Sequence, residues 1–328
     1  MVSSQSEKCG LWAYSFWPVV RFRGSSQPGR SALREADSRS LPRLDSKFPL
    51  PETSSSAILN VTPSRPPVGT TFRPSFVGLA GNEWITTSVA LHLMKNLLGD
   101  CEASRGFHFY FLFVANPDGL FFSRSEFSPW PKNLHSFGNA CRGVCVVFNF
   151  PSYFGYGNDY GMCHPFYRGP GASSEIETRA IIEAMDAITE RQELVMVIDL
   201  KQAHNTIALP YGWAEEKPPD FDDMYDVALT FSNAIWNKYR IRYSVSNQFM
   251  IMGGTVIDYA KGSLGVKYPF MIFMGIAPEL YFHPSPISLS VRSVWDGFSA
   301  MLTKIRAERA QQAREALLAA NEEQESEA

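Results

Sequence analysis

Basic residues are not in excess in this 328-residue chain. Thirty Lys and Arg face 33 Asp and Glu, for a formal net charge of −3, which gives no case for nucleic-acid binding. Long apolar runs are missing as well, and no stretch approaches the ~20 residues that a membrane span needs. The nearest, "CGLWAYSFWPVV" at residues 9–20, has the length of a signal-peptide core. It contains Pro18, has only Lys8 before it as a positive flank apart from the terminus, and lacks a clear small-residue cleavage site, so no convincing signal is expected. Histidine is scarce: the six residues His92, His108, His135, His164, His204 and His283 show neither His-x-x-Glu nor His-x-x-x-His spacing. The five cysteines, Cys9, Cys101, Cys141, Cys145 and Cys163, are an odd number, so at least one is unpaired within the chain. There is no internal repeat.

What is present suffices for a large core, since 45% of the residues are hydrophobic and 19% charged. Residues 1–70 stand apart. The stretch "RGSSQPGRSALREADSRSLPRLDSKFPLPETSSS" is rich in Ser, Arg and Pro and has no sustained period of 2 or 3.6. It cannot bury enough apolar surface to offset its ordering entropy, and disorder is expected. "NVT" at Asn60 is a glycosylation acceptor only if the chain is secreted.

From about residue 71 the pattern changes. "EWITTSVALHLMKNLL" puts Ile85, Val89, Leu93 and Leu97 on one helical face, with Gly99 as a stop. "FHFYFLFVANPDG" is a β-favouring run closed by a turn cluster at Asn116–Gly119. "SSEIETRAIIEAMDAITER" has a Ser cap and spaces Ile181, Met185 and Ile188 as a helix does. "ELVMVIDL" reads as a buried strand and "DDMYDVALTFSNAIWNKY" as a helix. "VKYPFMIFMG" is a strand whose Pro269 sits near an edge or at its start. A long final helix begins near residue 290. Residues 308–328 are expected to extend from the body as helix, followed by a disordered acidic tail, "NEEQESEA". Strands alternating with helices over residues 71–307 predict an α/β domain with a central mixed, mostly parallel sheet flanked by helices.

Several segments, taken in order, resemble the zinc metallocarboxypeptidases of the pancreatic carboxypeptidase A/B type. "GLAGNEW" is similar to that family's Gly-Ile-His-Ala-Arg-Glu-Trp, "VANPDG" to its strand-end turn, and "WPKN" to Trp-Arg-Lys-Asn. "CRGVCVVFNF" resembles Cys-x-Gly-Val-Asp-x-Asn-Arg-Asn-Phe, and "YRGPGASSEIETRAI" a segment entering a helix. "VIDLKQAHNTIALPYGW" resembles Ile-Asp-Leu-His-Ser-Tyr with a later Tyr-Pro-Tyr-Gly stretch, and "GGTVIDYAKGSLGVKYPF" a Gly-Thr-Ser-Val-Asp-Trp block. Each block alone is weak, but their common order makes the resemblance specific. It implies the carboxypeptidase fold, but residues 1–71 offer nothing like the helix and strand hairpin that open the family domain. Either one side of the sheet, with its N-terminal edge strands, is missing, or this N-terminus is not the authentic one.

The resemblance also implies chemistry, and the matching positions do not carry it. The family holds zinc with two His and one Glu and leaves a position open for water. Here the His positions are Ala80 and Lys201, and only Glu83 remains. The general base falls on Phe273 and the Arg that polarises the scissile carbonyl on Pro131. The Asn-Arg pair for the substrate carboxylate falls on Val147 and Phe148, and the Arg inside the zinc motif on Asn82. The lid tyrosine falls on Lys261, with Tyr259 as an alternative across a one-residue insertion. The expectation is therefore no bound zinc and no hydrolysis.

Glu83 is then a helix first-turn acid or the partner of Lys201, rather than a metal ligand. Val147, Phe148 and Phe273 either fill the former cleft as core or line it for an apolar ligand. The resemblance further implies a disulfide between Cys141 and Cys163, worth about 3 kcal/mol if oxidised, with Cys145 as a competitor, and an extracellular setting. Three functions follow, with the first favoured. One is a catalytically inactive carboxypeptidase-like protein holding a peptide or protein ligand in the altered cleft. Another is an active zinc metallocarboxypeptidase with displaced ligands. The last is a degenerate product without a molecular role.

Overall fold

A computed structural model of the protein describes residues 11–13, 58–63, 74–138, 140–248, 252–275 and 284–327. The described strands are β1 (Leu11–Ala13), β2 (Ile58–Pro63), β3 (Pro74–Val77), β4 (Phe109–Leu112), β5 (Met196–Gln202), β6 (Thr206–Ala208), β7 (Ser244–Ser246) and β8 (Tyr268–Met274). They form one sheet in the order β1-β2-β4-β3-β5-β8-β6-β7. The pairs β3–β4, β3–β5, β5–β8 and β6–β7 are parallel, whereas β1–β2, β2–β4 and β6–β8 are antiparallel. The described helices are α1 (Trp84–Gly99), α2 (Cys101–Ser104), α3 (Pro117–Ser125), α4 (Ile176–Thr189), α5 (Phe221–Tyr239), α6 (Val256–Gly262) and α7 (Pro284–Glu327). The architecture is α/β, with a mixed sheet flanked by helices, as the alternation of patterns predicts.

Two expectations at the chain's start are corrected. Edge strands are not missing: β1 and β2 extend the sheet beyond β4, with Ile58 opposite Leu112 and Val61 opposite Phe109. These same strands fall inside the segment for which disorder was expected. "ILNVTP" is short but β-rich, and a waiting strand edge supplies the hydrogen-bonding partner that an isolated hexapeptide lacks. The rest of residues 1–70 lies outside the described residues.

The two faces of the sheet follow from period-2 alternation in the buried strands. Along β5, Met196, Ile198 and Leu200 face the core shared with α1, α5 and α7. Val197 faces the second core, with Leu79, Phe148, Ile181 of α4 and Val256 of α6. In β8, Phe270 and Ile272 join the first core, Met271 and Phe273 the second. β8 lies between β5 and β6 and is no edge strand. Pro269 is tolerated because it pairs with Val197 at the strand's start, before the β6 ladder begins at Met271.

The helix ends show where local signals were misread. Asn116 caps α3, its side chain accepting from Gly119 N at 2.9 Å, and Pro117 occupies the first turn. The Asn-Pro-Asp-Gly cluster is thus a helix start and not a closing turn. The cap of α4 is Glu175 rather than a serine, and its backbone N–H donates to Asn149 Oδ1. Thr255 and Asp258 form a capping box at α6. α7 buries Val294, Phe298, Met301, Leu302 and Ile305 and is exposed from Ala310 to Glu322. It runs on to Glu327, so the acidic tail is helical; Ala, Glu, Gln, Leu and Arg are strong helix formers and extend a turn already nucleated.

Candidate functional site

The carboxyl ends of the parallel strands β3, β5 and β8 open on one cleft of about 550 Å³. That is where open α/β sheets characteristically place ligands. The loop from β3 to α1 forms one side. Ser123 Oγ donates to Gly81 O at 2.6 Å, Trp84 Nε1 donates to Ser123 Oγ at 2.9 Å, and Gly81 N donates to Pro131 O at 3.1 Å. A side chain at position 81 would meet the Gly119 backbone at 2.5 Å, so the loop packs on α3 only with glycine there. This clamp fixes Ala80, Asn82 and Glu83 at the cleft.

The floor is a buried ion cluster. Lys201, at the end of β5, has its Nζ 3.1 Å from Asp199 Oδ2 and 3.5 Å from Glu83 Oε2. The side chains of Lys201 and Asp199 are 2% and 0% exposed, that of Glu83 13%. Asp199 and Lys201 are two apart in one strand, so they share the sheet face that leads to the cleft. Burial tends to neutralise Lys201, but the carboxylates of Asp199 and Glu83 outweigh it and hold the ammonium charged. Burial raises Glu83 to about 7 against the attraction of Lys201, and Asp199 to about 6. Cys145, buried beside them and free, is pushed up to about 12 by the same loss of solvent.

The walls are apolar. Phe273 pairs with Lys201 across β5 and β8, and Val147 and Phe148 come from a 3₁₀ turn at Val146–Phe148. Phe166 meets Phe148 edge-on at 6.0 Å between ring centroids. Its loop is anchored by the disulfide between Cys141 and Cys163, which forms as the resemblance implied. Cys101 is disulfide-bonded too, and Cys145 is the unpaired cysteine among the described residues.

The cleft therefore gathers Ala80, Asn82, Glu83, Pro131, Val147, Phe148, Lys201 and Phe273, the positions that the resemblance matched to the family's site residues. Val147, Phe148 and Phe273 are buried and also line the cleft, so core and lining are one role here. The lid position is the exception. Lys261 turns away to Asp220 and to Val266 O, and Tyr259 Oη donates to Asp186 Oδ1, so neither borders the cleft. Asp199 went unnoticed, although strand period places it beside Lys201. Gln202, at the end of β5 beside Lys201, and Tyr160, Phe166 and Met252, which loops from distant segments deliver, also line the cleft and carried no signal.

The sequence profile of the zinc carboxypeptidase family matches residues 77–297, and the chain belongs to that family. Carboxypeptidase A2 of Rattus norvegicus is 29% identical over 206 residues, 59% of this chain and 48% of the relative. A metallocarboxypeptidase A-like protein of Trichophyton verrucosum is 25% identical over 235 residues, 68% of this chain and 56% of the relative. The chain thus spans about half the length of these relatives. Among solved structures, carboxypeptidase A from Helicoverpa armigera superposes with a TM-score of 0.69 at 21% identity, over 76% of this chain and 65% of that one. Bovine thrombin-activatable fibrinolysis inhibitor, solved in complex with tick carboxypeptidase inhibitor, gives 0.69 at 20% identity, over 78% and 88%. Both structural likenesses are to the fold.

Proposed function

We propose that this chain is a non-hydrolytic member of the zinc carboxypeptidase family that acts by binding in its altered cleft. One observation carries the reading: an ammonium, that of Lys201, stands 3.5 Å from the remaining family carboxylate, Glu83, at the position of the family's second histidine. A protonated amine has no lone pair to give a metal. The methyl group of Ala80 replaces the other histidine. Asp199 adds a second carboxylate, but it lies against the same ammonium. This donor set forms an ion cluster around one ammonium and does not fit Zn²⁺, which takes three protein ligands and a water in the family's catalytic geometry.

The rest of the cleft agrees. With Phe273 at the base position no water is deprotonated, and with Pro131 no cation stabilises an oxyanion. Val147 and Phe148 offer nothing to a substrate's terminal carboxylate. What persists is a shaped, largely apolar recess, which suits retention of a ligand, a peptide or protein segment included. One preparation of the full chain tests this by metal analysis and a carboxypeptidase assay in parallel. The expected result is sub-stoichiometric zinc and no turnover. Stoichiometric zinc with hydrolysis abolished by chelation would mean an active enzyme with displaced ligands.

A further inference from the structure

The ion cluster on the cleft floor is unbalanced. It contains two carboxylates and one ammonium, and Lys201 is the only lysine or arginine among the described residues that line the cleft. His204, the other basic group there, stands on an exposed rim. Lys132, the next cation near Cys145, donates to Met162 O and does not line the cleft. Glu83 Oε2, Gln202 Oε1, both oxygens of Asp199 and Lys201 Nζ are buried without a well-aligned hydrogen bond, and of the two acids Glu83 is the one that lines the cleft. These acceptors face one ammonium that is itself shared between two acids. Above the floor stand Phe148, Phe273, Val147, Met252 and Pro131.

We infer that the cleft binds an apolar amine: a protonated ammonium seated at Glu83, carried on a compact aromatic or branched hydrocarbon body held by the phenylalanine walls. The inference rests on the non-hydrolytic reading and names the ligand class of the same site. Its basis is charge and shape. A ligand ammonium brings a second cation to two acids that share one, and donates to Glu83, the carboxylate that lines the cleft. An anion, by contrast, meets two acids and no arginine among the described lining residues, so the terminal carboxylate of a peptide is a poor occupant. A cavity of about 550 Å³ is in the range that small-molecule ligands fill. The phenyl faces add attraction for a cation passing over them. The same chemistry is offered by a free amine and by the N-terminus of a peptide that begins with an apolar residue.

Calorimetry on the full chain at neutral pH tests this with three probes of one size: 2-phenylethylamine, 2-phenylethanol and phenylacetate. The amine is expected to bind at least ~10-fold more tightly than the alcohol, with phenylacetate weakest. Phenylacetate binding as well as the amine, or the alcohol matching it, would overturn the inference. Phenylalanyl-glycyl-glycine amide then separates the two sources. Binding tighter than that of the free amine assigns the site to peptide N-termini, weaker binding assigns it to small amines, and both outcomes keep the ammonium. In Glu83→Gln the preference for amine over alcohol is expected to shrink to within about threefold. The three-probe comparison needs no variant, so a poorly folded substitution does not block the test. Zinc content measured on the same sample keeps the two claims apart. A zinc-free protein without amine preference removes only this inference, whereas a zinc-loaded active one removes the non-hydrolytic reading beneath it.

Discussion

Two buried carboxylate clusters in this molecule are held in opposite ways. Near the start of α4, Asn133 Nδ2 donates to Glu175 Oε2 at 2.7 Å and to Glu177 Oε2 at 3.2 Å, while its own Oδ1 accepts from Val144 N at 2.8 Å. Ser174 Oγ donates to Glu175 Oε1 at 2.7 Å, and His135 Nδ1 lies 3.0 Å from Glu175 Oε2. Amides, a hydroxyl and an imidazole distribute the load there. On the cleft floor a single ammonium serves Glu83 and Asp199, and most of the polar atoms lack aligned hydrogen bonds. The first arrangement is dense in directional bonds and tolerates the loss of one. The second depends on one charge, because a buried ion without its partner keeps its full desolvation cost.

The sharpest way to break this contrast is Lys201→Met. It leaves two carboxylates facing each other out of water, and chemical denaturation is expected to show a loss of about 3–5 kcal/mol. Adding Asp199→Asn should recover a substantial part of it. A Lys201→Met protein as stable as wild type would mean that the floor is not organised by charge. Next in size is the disulfide, which ties the loop carrying Asn133 to the wall of the cleft. Cys141 and Cys163 are 22 residues apart, and the Cys141→Ser/Cys163→Ser pair should cost about 3 kcal/mol in the same assay.

The smallest effect is in pH. Burial raises Glu177 from 4.5 to about 7, and Asp258 likewise from 3.8 to about 7. Between those limits the folded state holds protons that the unfolded chain has released. Stability from these groups is therefore full below about pH 4 and is lost as pH climbs through 7. Glu177→Gln should flatten that decline by roughly 1–3 kcal/mol across the window, read as the pH dependence of the denaturation midpoint. An unchanged slope would mean that Glu177 is ionised in the fold at no cost, unlike Glu83 on the cleft floor.

Much of this was legible in the sequence, for reasons that particular residues make plain. The buried stripe Ile85, Val89, Leu93 and Leu97 was readable because helical period survives any tertiary context that buries one face. The Glu83–Lys201 contact was readable once the two positions were recognised as neighbours in a known scaffold. Asp199 as the third member was not read, although the strand's alternation contains it. β1 and β2 escaped because three and six residues carry too little pattern, and their stability lies in the edge of β4. The partners of the two lid candidates were not readable either, since Tyr259 bonds Asp186 and Lys261 bonds Asp220, residues far off in sequence. The loop from Tyr160 to Phe166 escaped as well, being placed by a covalent bridge and by ring contacts that no local period encodes.

Lys201 also bears on history. On the reading proposed above, a change of Lys201 to histidine alone withdraws the charge from two buried acids and still leaves a methyl group where another imidazole belongs. A change of Ala80 to histidine alone sets an imidazole close to an ammonium. On that reading neither single change assembles the three protein donors that a catalytic zinc takes, so the two would have to arrive together.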